Sequence, residues 1–215
     1  MKRFVFLASS LAAVSILSSV ASADLLYANS WDGTGVAYAS QNDTAAFGNF
    51  ATVYDSFTFT APSNDVNEIA WVGSYFNPGA PGTITGFTLG FYYDGGGQPG
   101  AFAFSEFIGG NANETSLGGE SYVYDTFLPS DVFASAGTFW LSIVPDMAFP
   151  PQWGWATSND GAGTAYQTFF GATSAQPTNV AFAMFGKAVP EPASMTLLGL
   201  GFVGLIRRRK NAKKA

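Results

Sequence analysis

The chain has 215 residues, no cysteine, no histidine, and 15 acidic residues against 9 basic ones. Without cysteine and histidine it cannot form disulfide bonds, a Cys–His nucleophile, a Ser-His-Asp triad or the usual zinc ligand sets. Eight of the nine basic residues lie near the two ends, so segment 24–189 carries fourteen acids and one base, Lys187, a net charge of −13. Such a segment repels phosphates, and we expect no nucleic-acid partner.

The N-terminal residues have the three parts of a secretory signal peptide. Residues 1–3 include two basic side chains, residues 4–20 are largely apolar, and Ala21 and Ala23 give a small-x-small pattern. We therefore predict a signal peptide over residues 1–23, which signal peptidase cuts after Ala23. The alternative is an uncleaved anchor, but the apolar run contains several serines and is short for a span of about 20 residues.

Segment 24–187 predicts a single all-β domain. Short runs of alternating apolar residues are separated by Gly, Pro, Asn and Asp, a pattern typical of sandwiches and barrels. Roughly ten strands suit a jelly-roll-like β-sandwich. One helical turn is expected over 129–134, with Ser130 as its cap, and a loop over 172–179. The predicted strands are 25–27, 52–60, 68–76, 84–93, 101–108, 121–127, 138–144, 152–157, 165–170 and 180–186.

A Gly-rich stretch after the strand 84–93 contains a candidate metal ligand. Asp94 precedes three glycines, and its carboxylate with the loop carbonyls offers the oxygen ligands that Ca²⁺ prefers. Asp125 and Asp131 are further candidates. The alternative is that Asp94 and Gly95 form an ordinary turn between two strands. No other cofactor is predicted.

Three of the five tryptophans are candidates for a glycan-binding platform. Trp140 alternates with Leu141 and Ile143, which predicts that it faces the opposite side of its strand. Trp153 and Trp155 lie two residues apart and therefore share a face. Flat aromatic rings bind the apolar faces of sugars, and exposed tryptophans suggest such a use. The alternative is that both sheets bury these side chains.

The C-terminal residues combine three features in a fixed order. Pro190, Glu191 and Pro192 precede an apolar stretch, 194–206, and a cluster of six basic residues over 207–214. As a helix the stretch spans roughly 20 Å, less than the hydrocarbon core of about 30 Å. The basic cluster is expected to stay in the cytoplasm, which places the body of the protein outside.

These residues resemble the PEP-CTERM sorting signal of Gram-negative bacteria. In that family a membrane enzyme, exosortase, recognises the Pro-Glu-Pro motif and removes the tail. The resemblance covers residues 189–215, and we assign the sorting signal to residues 188–215, with a linker, an apolar sorting helix and a basic tail. It implies that Pro190, Glu191 and Pro192 are acted upon rather than catalytic. The alternative is a C-terminal membrane anchor that is never cut.

Taken together, the sequence predicts a non-catalytic protein of the cell envelope or extracellular matrix, including a biofilm matrix. It is expected to be exported, transiently anchored in the inner membrane, and then released to the cell surface or beyond. The sandwich is expected to bind extracellular polysaccharide or to mediate assembly. The alternative is a secreted glycan-active hydrolase with two carboxylates about 5–10 Å apart, although no stretch singles out such a pair.

Overall fold

The computed structural model describes residues 23–161 and 164–188. Within them the chain forms fifteen strands and no helix, which confirms the predicted all-β class. The strands are β1 (Asp24–Asn29), β2 (Ala37–Ala39), β3 (Gln41–Asp43), β4 (Gly48–Phe59), β5 (Asn64–Phe76), β6 (Gly86–Asp94), β7 (Pro99–Gly109), β8 (Thr115–Gly118), β9 (Ser121–Ala134), β10 (Gly137–Met147), β11 (Gln152–Ser158), β12 (Tyr166–Phe169), β13 (Ala172–Ala175), β14 (Asn179–Val180) and β15 (Phe182–Ala188).

The strands form two sheets in a sandwich-like arrangement, as predicted. The eight-stranded sheet has the order β1-β15-β5-β11-β14, with β9 also on β5, β8 on β9 and β2 on β11. The seven-stranded sheet has the order β13-β12-β4-β3-β10-β6-β7, so that β7 is an edge strand. Strands distant in sequence lie side by side, since β1 pairs with β15 and β4 with β10.

Alternating side chains from both sheets fill the space between them. Val53 on β4 and Leu141 and Ile143 on β10 are fully buried, as their period of two predicts. Large aromatic rings dominate the core, and the ring of Trp71 stacks on Tyr124 with 5.6 Å between centroids. Such rings bury much apolar area each, which compensates for the absence of disulfide bonds.

The described part of the chain ends at one end of the sandwich. Ala188 pairs with Asn64 at the start of β5, and Asn64 pairs on its other side with Ala134 at the end of β9. Phe59, the last residue of β4, pairs here with Gly137, the first of β10. We call this the exit end. The start of β4 lies about 36 Å away, because a strand rises about 3.3 Å per residue.

The structure corrects two local predictions. Residues 129–134 belong to β9 rather than to a helical turn, and a bulge in β9 opposite β5 accommodates Pro129, since the register jumps from Phe127–Glu68 to Val132–Val66. Proline cannot donate to a ladder and is tolerated at bulges. Residues 172–179 are not a loop throughout, because they include β13 and the start of β14.

Several predicted segments lie outside the described residues. These are the signal peptide up to residue 22, including Ala21, and the sorting signal from residue 189, including Pro190, Glu191, Pro192 and the apolar helix. In the part of the chain that is described, no helix has the length and apolar character needed to span a bilayer.

Candidate functional site: a groove on the outer face of the seven-stranded sheet

The outer face of the seven-stranded sheet carries a groove of about 190 Å³. Its floor is made by residues that alternate with core residues along their strands. Tyr54 on β4 follows the buried Val53, and Tyr92 on β6 follows the buried Phe91. Ser142 lies between them on β10, opposite both Tyr54 and Gly90. Strand alternation therefore positions this surface.

Three aromatic rings form a row across the groove. Phe102 on β7 meets Tyr92 at 5.5 Å between ring centroids, and Tyr92 meets Tyr54 at 5.3 Å, both edge to face. Phe102 is 58% exposed and the two tyrosines are half-buried. The row joins an exposed apolar ring to two phenols, a combination that offers both flat apolar surface and hydrogen-bonding groups.

A glycine allows the central ring to lie over the sheet. A Cβ at Gly90 would lie 2.7 Å from Oγ of Ser142 and 2.9 Å from the hydroxyl oxygen of Tyr92. Tyr92 and Ser142 are themselves 3.4 Å apart and share a hydrogen bond. Burial raises the pKa of Tyr92 above its usual value, so its phenol is protonated and can donate at neutral pH.

Amide, hydroxyl and carboxylate groups line the rest of the groove. The amide of Asn42 donates to Oδ1 of Asp146 at 2.8 Å, and the hydroxyl of Thr52 donates to Oδ1 of Asn49 at 3.0 Å. Asp146 is the one carboxylate among the described residues that line the groove. Side chains of these types are the usual partners of hydroxyl-rich ligands.

The three predicted platform tryptophans are buried, which corrects that prediction. Trp140 is 2% exposed, and Trp153 and Trp155 are fully buried, so none of them offers a ring face to a sugar. Trp140 does point away from Leu141 and Ile143, but Tyr166 covers it edge-on at 5.6 Å. The alternative interpretation, that the sheets bury these tryptophans, is therefore the correct one for all three.

The indole groups of Trp153 and Trp155 are held by core hydrogen bonds. Nε1 of Trp155 donates to the carbonyl of Ala181 at 2.9 Å, and Nε1 of Trp153 donates to the hydroxyl of Tyr124 at 3.0 Å. That hydroxyl in turn donates to Oε2 of Glu114 at 2.8 Å. Burial raises the pKa of Tyr124, so this phenol stays protonated and the chain of donors is maintained. These tryptophans are structural.

Asp94 is a turn residue in the structure. Its carboxylate accepts hydrogen bonds from the backbone N–H groups of Gly96 and Gly97, at 3.1 Å each, and from Nε1 of Trp140 at 2.9 Å. These bonds, that from Trp140 first, lower the pKa of Asp94. Across residues 23–161 and 164–188, no three Asp or Glu side chains lie close enough to hold a metal ion. The calcium prediction therefore finds no support there.

The groove residues were not singled out by the sequence. Tyr54, Tyr92 and Phe102 come from three strands that lie together only in the folded sheet, and Tyr54 and Tyr92 each follow a core residue like any outward side chain. The sequence gives one indication of this surface: Tyr92 is a large aromatic residue on the face of its strand opposite to Phe91 and Tyr93. Ala23, the predicted processing residue that the structure describes, is exposed directly before β1.

Comparison with known proteins identifies one region of the chain. No curated protein and no solved structure matches the chain. Residues 188–210 match the family model of the PEP-CTERM protein-sorting motif, a range that includes Pro190, Glu191 and Pro192. The motif implies export, transient membrane anchoring and processing by an exosortase-type enzyme. Residues 188–210 of the chain thus carry a PEP-CTERM protein-sorting motif, as the sequence indicated.

Proposed function

We propose that this is a non-catalytic protein of the cell envelope or extracellular matrix that binds polysaccharide in the groove on its seven-stranded sheet. The observation that carries the proposal is the row of Phe102, Tyr92 and Tyr54, bordered by amide and hydroxyl groups. The sorting motif supports an envelope or extracellular location. Export through the predicted signal peptide and its removal by signal peptidase after Ala23 belong to the same proposal.

The chemistry of the groove suits a glycan. A sugar ring has apolar C–H faces that pack on aromatic rings, and equatorial hydroxyls that bond to amides, hydroxyls and carboxylates. The acidic body favours a neutral polysaccharide over an anionic one, because segment 24–189 carries a net charge of −13. The groove, at about 190 Å³, is smaller than the roughly 300–1,000 Å³ of pockets that enclose small molecules, which favours part of a longer chain as its ligand.

The acids of the groove favour binding over hydrolysis. Glycosidases use two carboxylates that face each other across the scissile bond, about 5–10 Å apart. Asp146 stands without a second carboxylate among the described residues that line the groove, and it already accepts a hydrogen bond from Asn42. The hydrolase alternative would require a pair of acids elsewhere on the surface.

Affinity electrophoresis tests the proposal with the full chain. The gel contains polysaccharide extracted from the extracellular matrix of the native host. Tyr92→Ala and Phe102→Ala should each weaken retardation about fivefold, since an aromatic contact is worth about 1 kcal/mol. Phe127→Ala is the matched control, because Phe127 is 73% exposed on the other sheet. Equal loss in all three variants, or retardation unchanged by any of them, contradicts binding in the groove.

Assembly is a second candidate, favoured by a cluster of phenylalanines at the end opposite the exit end. Phe47, Phe50 and Phe170 meet edge to face or tilted at 5.3–6.1 Å, with Phe149 and Phe169 beside them. Phe47 is 56% and Phe170 62% exposed. Contiguous exposed apolar surface of this kind marks contact sites. Sedimentation of the full chain and of Phe170→Ser tests whether a second copy occupies it.

A further inference from the structure

The two sheets separate at the exit end to form an apolar cleft of about 200 Å³. Phe57, Phe91 and Phe104 line it from the seven-stranded sheet, and Val132 and Met184 line it from the other. Phe91 and Phe104 stack at 4.6 Å between centroids. The core is therefore open to solvent at this point.

Aromatic side chains at the cleft are exposed to an unusual degree. Tyr93 is 55%, Phe104 37% and Phe133 72% exposed, and all three line the cleft. A contiguous exposed apolar patch is costly in water unless something covers it. The cleft is smaller than the 300–1,000 Å³ typical of small-molecule sites, so it suits a few side chains of a polypeptide better than a complete ligand.

The described chain ends beside this cleft. Ala188 pairs with Asn64, which pairs with Ala134 on its far side, and Ala134 lines the cleft. Neighbouring strands lie about 4.8 Å apart, so that Ala188 and Ala134 are about 10 Å apart. The five residues 189–193 span up to roughly 17 Å when extended, and the two prolines favour extension. The next segment therefore reaches the cleft.

We infer that the cleft receives the apolar sorting segment, residues 194–206, of the same chain when that segment is outside a membrane. The segment is rich in Leu, with Met195 and Phe202, and matches the phenylalanine lining in polarity. Because it is tethered a few residues away, its effective concentration at the cleft is in the millimolar range, and weak contacts are enough to hold it.

Charge favours the same arrangement. Asp65, Asp94 and Asp131 each adjoin in sequence a residue that lines the cleft. The six basic residues of 207–214 directly follow the apolar segment, so docking brings them toward a body with a net charge of −13. A second copy of the body brings only Lys187 as a basic residue and no such basic cluster, which favours the tail as occupant.

Docking has a consequence for sorting. The bilayer and the cleft compete for the same apolar residues, so the cleft shields the tail until it inserts. When an exosortase-type enzyme removes the tail, the cleft loses its occupant and its aromatic rings become available to other partners. Removal of the tail then changes the surface of the released protein as well as its location.

Disulfide trapping tests the inference, since the chain contains no cysteine. The full-length protein carries Met195→Cys together with Ser135→Cys, a position that lines the cleft. The control pairs Met195→Cys with Leu25→Cys. Leu25 is 60% exposed and pairs with Phe185 on the other side of β15, roughly 11 Å from Ala188 by strand geometry. In dilute detergent-free buffer, the cleft pair should oxidise intramolecularly at least about tenfold faster than the control pair.

A substitution that fills the cleft provides a second, independent test of the inference. Ala103→Phe, within the lining, should slow trapping of the cleft pair to the control rate, whereas Ala101→Phe, exposed on the same strand and outside the lining, should not. Equal rates for the cleft and control pairs overturn the inference. Disulfide-linked dimers in place of the intramolecular product also overturn it and assign the cleft to a second copy.

Discussion

The indole N–H of Trp140 donates a 2.9 Å hydrogen bond to Oδ1 of Asp94. From the sequence these two residues are candidates for separate sites, a sugar platform and a calcium ligand. In the folded sheet, Trp140 on β10 lies opposite Tyr92 on β6. Asp94 follows Tyr92 by two residues, at the end of β6. The turn after β6 therefore folds back over the outer face and caps the indole.

We expect calcium to leave the stability of the protein unchanged. Both carboxylate oxygens of Asp94 already accept hydrogen bonds within the turn, and an ion would have to replace these donors. Melting curves of the full chain with chelator and with millimolar Ca²⁺ should coincide. A midpoint raised by Ca²⁺, and no longer raised in Asp94→Ala, would restore the metal site, because a ligand that binds only the native state stabilises it.

Asp55 should make the protein less stable as the pH rises. Its carboxylate is fully buried between the sheets, where Oδ2 accepts from the backbone of Val180 at 2.8 Å and from Asn29 at 3.2 Å. Burial raises its pKa to about 7. Between pH 4 and 7 the native state therefore binds more protons than the unfolded state, and the free energy of unfolding falls by up to about 1.4 kcal/mol per pH unit.

Denaturant unfolding at pH 4.5, 6 and 7.5 measures this slope. Asp55→Asn removes the titrating group and should therefore flatten the dependence of stability on pH. The variant should be less stable at all pH values, because an amide cannot accept all the hydrogen bonds that the carboxylate accepts. Asp125→Asn, which replaces an exposed acid, is the control and should keep the slope of the parent. The same slope in parent and Asp55→Asn would show that other groups cause the pH dependence.

Gly73 is expected to be essential for packing Trp153. A Cβ at Gly73 would lie within van der Waals overlap of the Trp153 ring, and overpacking a rigid core costs about 1–3 kcal/mol. Gly73→Ala should lower the urea midpoint accordingly. Gly109→Ala is the control, because a Cβ there meets nothing within 4 Å. An equal lowering of the midpoint in both variants would mean that overlap with Trp153 is not the cause.

The sequence predicted the longer strands because alternation is local, but it missed the short strands β2, β3, β8 and β13. Phe87, Leu89 and Phe91 repeat with a period of two and all lie in the core. The sequence also predicted that Trp140 points away from the core. Whether the ring is exposed, however, depends on which other residues cover it. Tyr166 and the Asp94 turn, which cover Trp140, are far from it in sequence and meet it only through pairing of β4 with β12 and of β6 with β10.

The groove and the cleft were beyond sequence reasoning for the same physical reason. Tyr54 and Phe102 belong to strands separated by β10 and β6 in the sheet, and strand order is set by non-local packing. The sorting motif was predictable because it is read as a linear segment. The Pro-Glu-Pro motif, the apolar stretch and the first four of the six basic residues lie within residues 188–210 and need no fold to be recognised.

Glu191 should be required for processing but not for export. Glu191→Ala leaves the signal peptide, the apolar segment and the basic cluster intact, so the protein should still cross and insert in the membrane. Recognition by the exosortase-type enzyme should fail, because the charged residue of the Pro-Glu-Pro motif is lost. The full-length form should then accumulate in the membrane fraction, measured by fractionation and intact-mass spectrometry. Asn211→Ala, just outside the matched range 188–210, is the control and should be processed normally.

Two further arms separate recognition from anchoring. In a host without such an enzyme, the unmodified protein should stay membrane-bound, as the Glu191→Ala protein does in the native host. Deleting residues 207–215 should act differently, because loss of the basic cluster weakens the hold on the cytoplasmic side and lets uncut chain escape. If Glu191→Ala is cut and released as fast as the parent, the Pro-Glu-Pro sequence serves only as a linker. Release must then depend on the apolar segment, residues 194–206, which is shorter than the run of about 20 apolar residues that a stable membrane span needs.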